Sequence, residues 1–155
     1  MAIDPKIALK MLRDNLLKPV KDPELTEEVM LAAVREDGAT IMYLYDPPIA
    51  VILAAVKQNA VAFGFVSPQT EATCLAAMKE NPLVFKYVEN QTEAICIEAV
   101  KQNPLAIKLV KNQTERICLE AVKRKWVAIR YVKDKTPAIC DAALKQSKNA
   151  IKYMP

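Results

Sequence analysis

Thr70, Thr92, Thr114 and Thr136 fall 22 residues apart, and this spacing constrains the fold more than any other feature of the chain. Thr26 extends the series backward, Pro48 fills the intervening slot, and Asp4 carries it to the start. Other columns keep the same register. Cys74, Cys96, Cys118 and Cys140 form one, with Met30 and Ile52 in the earlier slots. Val34, Val56, Met78, Val100, Val122 and Leu144 form a second, headed by Leu12. Arg13, Arg35, Lys57, Lys79, Lys101, Lys123 and Lys145 form a third, and Ile41, Phe63, Phe85, Ile107, Ile129 and Ile151 a fourth. A fixed period in the range of 20–50 residues is the signature of stacked supersecondary units.

The unit from Thr92 onward can be read physically. Thr92 is a good N-cap, and Glu93 places an acid in the first turn, where the helix dipole favours it. A long helix is expected over Glu93–Gln102, with Ile95, Cys96, Ala99 and Val100 on one face. Lys101 falls in its last turn. Asn103 interrupts the helix and Pro104 opens the next, a position proline tolerates because it needs no N–H there. A short helix follows over Leu105–Val110, and Asn112 with Gln113 forms the return turn. One such hairpin cannot bury its apolar face alone, but stacked copies cover one another. The expectation is an all-α chain, an α-solenoid of about seven 22-residue helix–turn–short-helix repeats in a single domain over residues 1–155.

The end units should differ from the middle ones. Asp141 replaces Leu75, Ile97 and Leu119 of its column, and Asn149 replaces Leu83, Leu105 and Val127. Residues 136–155 therefore read as a C-terminal capping repeat. Lys18-Pro19 breaks the pattern near the start, so residues 1–21 read as an N-terminal capping helix and 22–135 as the repeats between.

Composition narrows the function classes. With no His and 2 Gly, the chain lacks the commonest general base and the means to build a Gly-rich phosphate loop. The cysteines recur once per unit rather than a few residues apart, so they read as small buried hydrophobes, not as zinc ligands or disulfide partners. Glu98 and Glu120 likewise lie a unit apart and read as solvated helix residues. No enzyme activity, cofactor, metal or catalytic residue is expected. Residues 1–21 have amphipathic spacing that includes Asp4 and Asp14, unlike a secretory leader. The longest apolar run, Ile49–Val56, is too short to cross a bilayer. The expectation is a soluble, intracellular and cytoplasmic protein with no membrane partner.

Charge is split along the chain. Residues 1–77 carry 7 basic and 10 acidic side chains, and residues 78–155 carry 15 and 8. Lys79, Lys101, Lys123 and Lys145 sit where helix dipoles favour cations. A second ladder, Lys86, Lys108, Arg130 and Lys152, lies on the short helices, where dipoles explain it less well. Lys111 and Lys133 fall three residues further along the same helix face. Trp126 stands where Pro82 and Pro104 stand, in the turn between helices, either as a partly exposed anchor or folded over its neighbours. These seven, Lys86, Lys108, Lys111, Trp126, Arg130, Lys133 and Lys152, are the candidate partner-binding residues. Tyr43, Tyr87, Tyr131 and Tyr153 share a column with Phe65 and Leu109, which reads as core edge.

The stretches Asn90–Pro104 and Asn112–Lys123 resemble a helical repeat family of unknown function, common in large DNA viruses of protists and present in some bacteria and phages. The resemblance is sharpest over residues 70–145 and implies a helical repeat, a viral or microbial source, and no active site to carry over. In architecture alone the alternation of long and very short helices is similar to the leucine-rich variant repeat. The expected function is a non-enzymatic protein-interaction scaffold or adaptor, a virion component or a host-interaction protein in the host cytoplasm. Head-to-tail self-association through the charge split is a variant of it. The alternative is nucleic-acid binding by the basic short-helix stripe.

Overall fold

A computed structural model describes Asp4, Lys6, Ile7, Lys10 and residues 26–155. The capping helix expected over residues 1–21 falls almost wholly outside the described residues; within it, Asp4 Oδ1 accepts the Lys6 N–H at 2.9 Å. The described chain is all-α, without a strand, and divides into two compact units, Met1–Glu89 and Asn90–Pro155. Unit 1 holds α1 (Glu27–Glu36), η1 (Gly38–Tyr43), α2 (Ile49–Gln58), η2 (Ala60–Phe65), α3 (Glu71–Glu80) and η3 (Pro82–Tyr87). Unit 2 holds α4 (Glu93–Gln102), η4 (Pro104–Leu109), α5 (Glu115–Arg124), η5 (Trp126–Tyr131), α6 (Pro137–Leu144) and η6 (Lys148–Tyr153). Each α element is an α-helix and each η element a 3₁₀ helix.

Local chemistry sets these boundaries. The Thr26, Thr70, Thr92, Thr114 and Thr136 hydroxyls each accept the N–H three residues on, which caps their helices. Pro48, in the same slot, has no side chain able to cap. At the far end one extended residue serves two helices. The Asn103 N–H closes α4 on the Ala99 carbonyl at 2.9 Å, while Asn103 Oδ1 accepts the Leu105 N–H at 3.0 Å and opens η4. Asp37, Asn59 and Asn81 do the same in unit 1.

The short helix departs from the sequence reading. It opens at Pro104 and stops at Leu109, one residue before the expected Val110, and it is a 3₁₀ helix, with Ala106 N–H bonded to the Asn103 carbonyl and Val110 N–H to that of Ile107. At roughly 2.0 Å of rise per residue, six 3₁₀ residues cover about 12 Å, against about 9 Å for an α-helix. The tighter form therefore reaches further along its ten-residue partner. Lys145 also falls one residue past α6, as its C-cap, not in its last turn.

Within each unit the long helices pack on their sequence neighbours, and the 3₁₀ helices do the same, giving two layers with the core between them. The inward columns are the expected ones. Ile95, Cys96, Ala99 and Val100 are all buried, as are Ile117, Cys118, Ala121 and Val122. Ile41, Phe63, Phe85, Ile107 and Ile129 are at most 2% exposed, whereas Ile151 in the same column is 67% exposed. Asp141 and Asn149 are exposed. No helix among the described residues is long and apolar enough to cross a membrane.

Candidate interaction surface

Long and short layers differ in how they handle charge. In the long-helix layer of unit 2 basic and acidic side chains are balanced, and two of the cations are paired. Arg116 pairs with Glu93 at 3.3 Å, and Arg124 with Glu120 at 2.7 Å one helical turn away. The Arg124 hydrogen bond holds the Glu120 carboxyl below its ordinary range. Glu93 also accepts the Thr114 hydroxyl at 2.8 Å, and Glu115 that of Thr136, so each first-turn acid also steadies the N-cap of the next repeat.

The short-helix layer of unit 2 is different. Its 3₁₀ helices and return turns, residues 104–113, 126–135 and 148–155, contain seven basic side chains and one acidic, Asp134. Lys108, Arg130 and Lys152 take the fifth position of η4, η5 and η6, each exposed beside the buried Ile107 or Ile129 or the terminal Ile151. Lys86 takes the same position of η3 in unit 1 and is also exposed. Lys111 and Lys133 are exposed, but they lie in the return turns beyond Leu109 and Tyr131, so they do not extend the helix face as the spacing suggested. The turn still brings them together, with Lys133 Nζ donating to the Lys111 carbonyl at 3.2 Å.

Trp126 is the first residue of η5, not a turn residue, and is half-buried. It folds over its neighbours: its ring lies 6.3 Å from that of Tyr153, tilted by 37°, and its backbone N–H donates to Gln146 Oε1 at 3.0 Å. Arg130 completes the cluster, its guanidinium carbon 5.3 Å from the Tyr153 ring centre and 5.9 Å from that of Tyr131. Such cation–π contacts contribute about 0.5–1 kcal/mol at exposed sites. The core-edge tyrosines thus also hold a cation in place, a role their column did not reveal.

The return-turn glutamines set the spacing of this edge. The Gln113 amide donates to the Ile107 carbonyl at 3.1 Å and to the Tyr131 carbonyl at 2.9 Å, while its oxygen accepts the Lys133 N–H at 2.9 Å. One side chain thereby clamps two successive 3₁₀ helices and the turn carrying Lys133. Gln91 holds the Leu109 carbonyl and the Lys111 N–H. Gln69 repeats the whole bracket in unit 1, on Phe63, Tyr87 and Glu89. Gln113 is a return-turn residue, as its spacing predicts, and the column Gln69, Gln91, Gln113 is the sequence signal of its second role.

The cysteines are free thiols. Cys74, Cys96 and Cys118 are buried and Cys140 partly so. Burial, then the neighbouring Glu93 charge, pushes the Cys96 thiol up to about 11, and burial raises Cys74 and Cys118 as well. A raised thiol is a poorer source of thiolate, the nucleophilic and metal-binding form. No group of three or more Cys, Asp or Glu among the described residues is placed to hold a metal ion. An open groove of about 500 Å³ runs between α5 and α6, on the long-helix side, lined by Leu119, Lys123, Asp141 and Lys145 among others. No family model, curated protein or solved structure matches the chain.

Proposed function

We propose that this chain is a non-enzymatic scaffold that binds protein through the short-helix edge of its repeats. One observation carries the proposal: the long helices of unit 2 hold four basic and five acidic side chains, with Arg116 and Arg124 ion-paired, while the short-helix edge of the same unit holds seven basic side chains and one acidic. Repeat stacks present extended surfaces of this kind to partners. The test is capture from extract by the native chain and by the triple variant Lys108→Glu, Arg130→Glu, Lys152→Glu, with helicity checked by circular dichroism. A protein retained by the first and lost by the folded variant supports the reading. An identical captured set for both overturns it.

The same array supports nucleic-acid binding as the second reading. It predicts tight anisotropy-detected binding at about 50 mM salt that collapses near 200 mM. The resemblance of the repeats extends the first proposal to a virion or host-cytoplasm component. The charge split adds self-association of one copy's acidic half with another's basic half, which head-to-tail would build rings or filaments. Light scattering that reports a monomer at every salt and concentration ends that variant.

A further inference from the structure

We infer that the partner of the unit 2 edge is an acidic peptide in extended conformation, with a carboxylate at every third residue. This rests on the scaffold reading and names the chemistry of what the scaffold holds. Lys108, Arg130 and Lys152 stand at one position of three 3₁₀ helices that pack in order. Packed helices lie roughly 8–10 Å apart, which sets the rung spacing of these cations. An extended chain of the polyproline II type has three residues per turn and rises about 3.1 Å per residue, so every third side chain returns to the same face after about 9 Å. The two periods match. Lys111 and Lys133, offset into the return turns, form a second row with the same 22-residue repeat.

The edge is ordered before anything binds. The Gln113 bracket fixes the rung from Ile107 to Tyr131, and Lys133 is tied by its backbone to Gln113 and by its ammonium to the Lys111 carbonyl. Arg130 has a ring face at Tyr153 and another at Tyr131, which leaves its N–H edges for the bidentate geometry a carboxylate prefers. Among the described residues, Lys108, Arg130, Lys133 and Lys152 have no carboxylate partner. The aromatic groups favour a peptide over a nucleic acid. Single strands bind through bases stacked on open aromatic faces, but here Trp126 and Arg130 both lie against Tyr153. A nucleic-acid strand also carries a charge about every 3.4 Å along a duplex, roughly three for each rung.

The test is anisotropy titration of the full chain with three labelled probes: a dodecapeptide with Glu at every third residue, a peptide of the same composition with its Glu residues contiguous, and an oligothymidylate of equal length. The spaced peptide should bind best, weaken with salt, and lose about tenfold or more of its affinity in the Lys108→Glu, Arg130→Glu, Lys152→Glu variant. Arg130→Lys, which keeps the charge and loses the planar fork, should lose part of it. Equal affinity for the two peptides, or tighter binding of the oligothymidylate, overturns the proposal. If no peptide binds but the protein captured from extract still depends on the three cations, the extended-peptide proposal falls and the scaffold reading stands. If neither responds to the variant, both fall.

Discussion

The two units share an interior and differ on one edge. Both seal the same apolar columns, both join their layers through an extended residue that ends one helix and starts the next, and both clamp 3₁₀ helices with a glutamine. On the short-helix edge, residues 38–47, 60–69 and 82–89 of unit 1 hold one basic side chain, Lys86, and two acidic ones, Asp46 and Glu89. Met42 and Gly64 stand where unit 2 has Lys108, Arg130 and Lys152, and Tyr45, 67% exposed, stands where it has Lys111 and Lys133. Inward columns answer to packing and cannot diverge far. Outward columns answer to whatever meets the surface, so a partner's chemistry is to be sought where the units disagree.

The shared interior predicts the largest effects. Phe63→Ala in unit 1 should cost about 3–5 kcal/mol, and Ile129→Ala in unit 2 about 2–5 kcal/mol, because each leaves a cavity at a site that is 0% exposed. Urea unfolding reads both. A loss below about 1 kcal/mol at either position would mean that its column is not sealed, and the common interior would no longer hold.

The brackets come next. Gln113→Ala strips partners from the Ile107 and Tyr131 carbonyls and the Lys133 N–H. Gln69→Ala does the same to Phe63, Tyr87 and Glu89. Each should cost about 1–3 kcal/mol and speed hydrogen exchange at the Lys133 or Glu89 amide. A loss confined to one unit would make the bracket part of the difference between them.

The helices, their threonine caps and the buried columns were legible because each depends on residues within one turn or one period. Glu93–Gln102 and its four buried residues follow from spacing alone. The brackets were not legible in the same way. Gln113 bonds a carbonyl six residues before it and another eighteen after it, and only the stacked backbone makes those two neighbours. Arg130 over Tyr153 has the same origin, since the pair spans a full repeat. Six of the seven candidate residues are exposed and Trp126 is half-buried, and Lys111 and Lys133 do not lie on the helix face their spacing suggests. The short helix opens at Pro104 or Trp126 and stops at Leu109 or Tyr131, which puts Trp126 in the helix and Lys111 and Lys133 in the return turns.

Alkaline pH probes the thiol column. The Cys96 thiol is raised from 9.0 to about 11 in the fold, mainly by burial. The unfolded chain therefore loses its proton first. Stability from this group is complete below about pH 9, drains at about 1.4 kcal/mol per pH unit above it, and is gone past about pH 11. Cys96→Ala removes that slope, so the native chain should lose stability faster than the variant across this window in chemical denaturation. Parallel profiles would place the thiol in a solvated site.

The smallest effect is the most direct test of how freely the outer edge varies. Gly64 occupies the basic column in unit 1 without a side chain, and a Cβ there would meet the Tyr87 ring at 3.6 Å, an ordinary contact. Its φ is not positive, so other residues fit its backbone. Gly38, by contrast, would drive a Cβ to 2.9 Å from the Ala55 carbonyl oxygen. Gly64→Lys should therefore leave stability unchanged or raise it by up to about 1 kcal/mol, through lost freedom in the unfolded chain. Gly38→Ala should lower it. Thermal melts of the two variants decide the matter. A destabilised Gly64→Lys would mean that packing, not the partner, keeps the unit 1 edge free of charge at that rung, and the contrast between the edges would then belong to the fold.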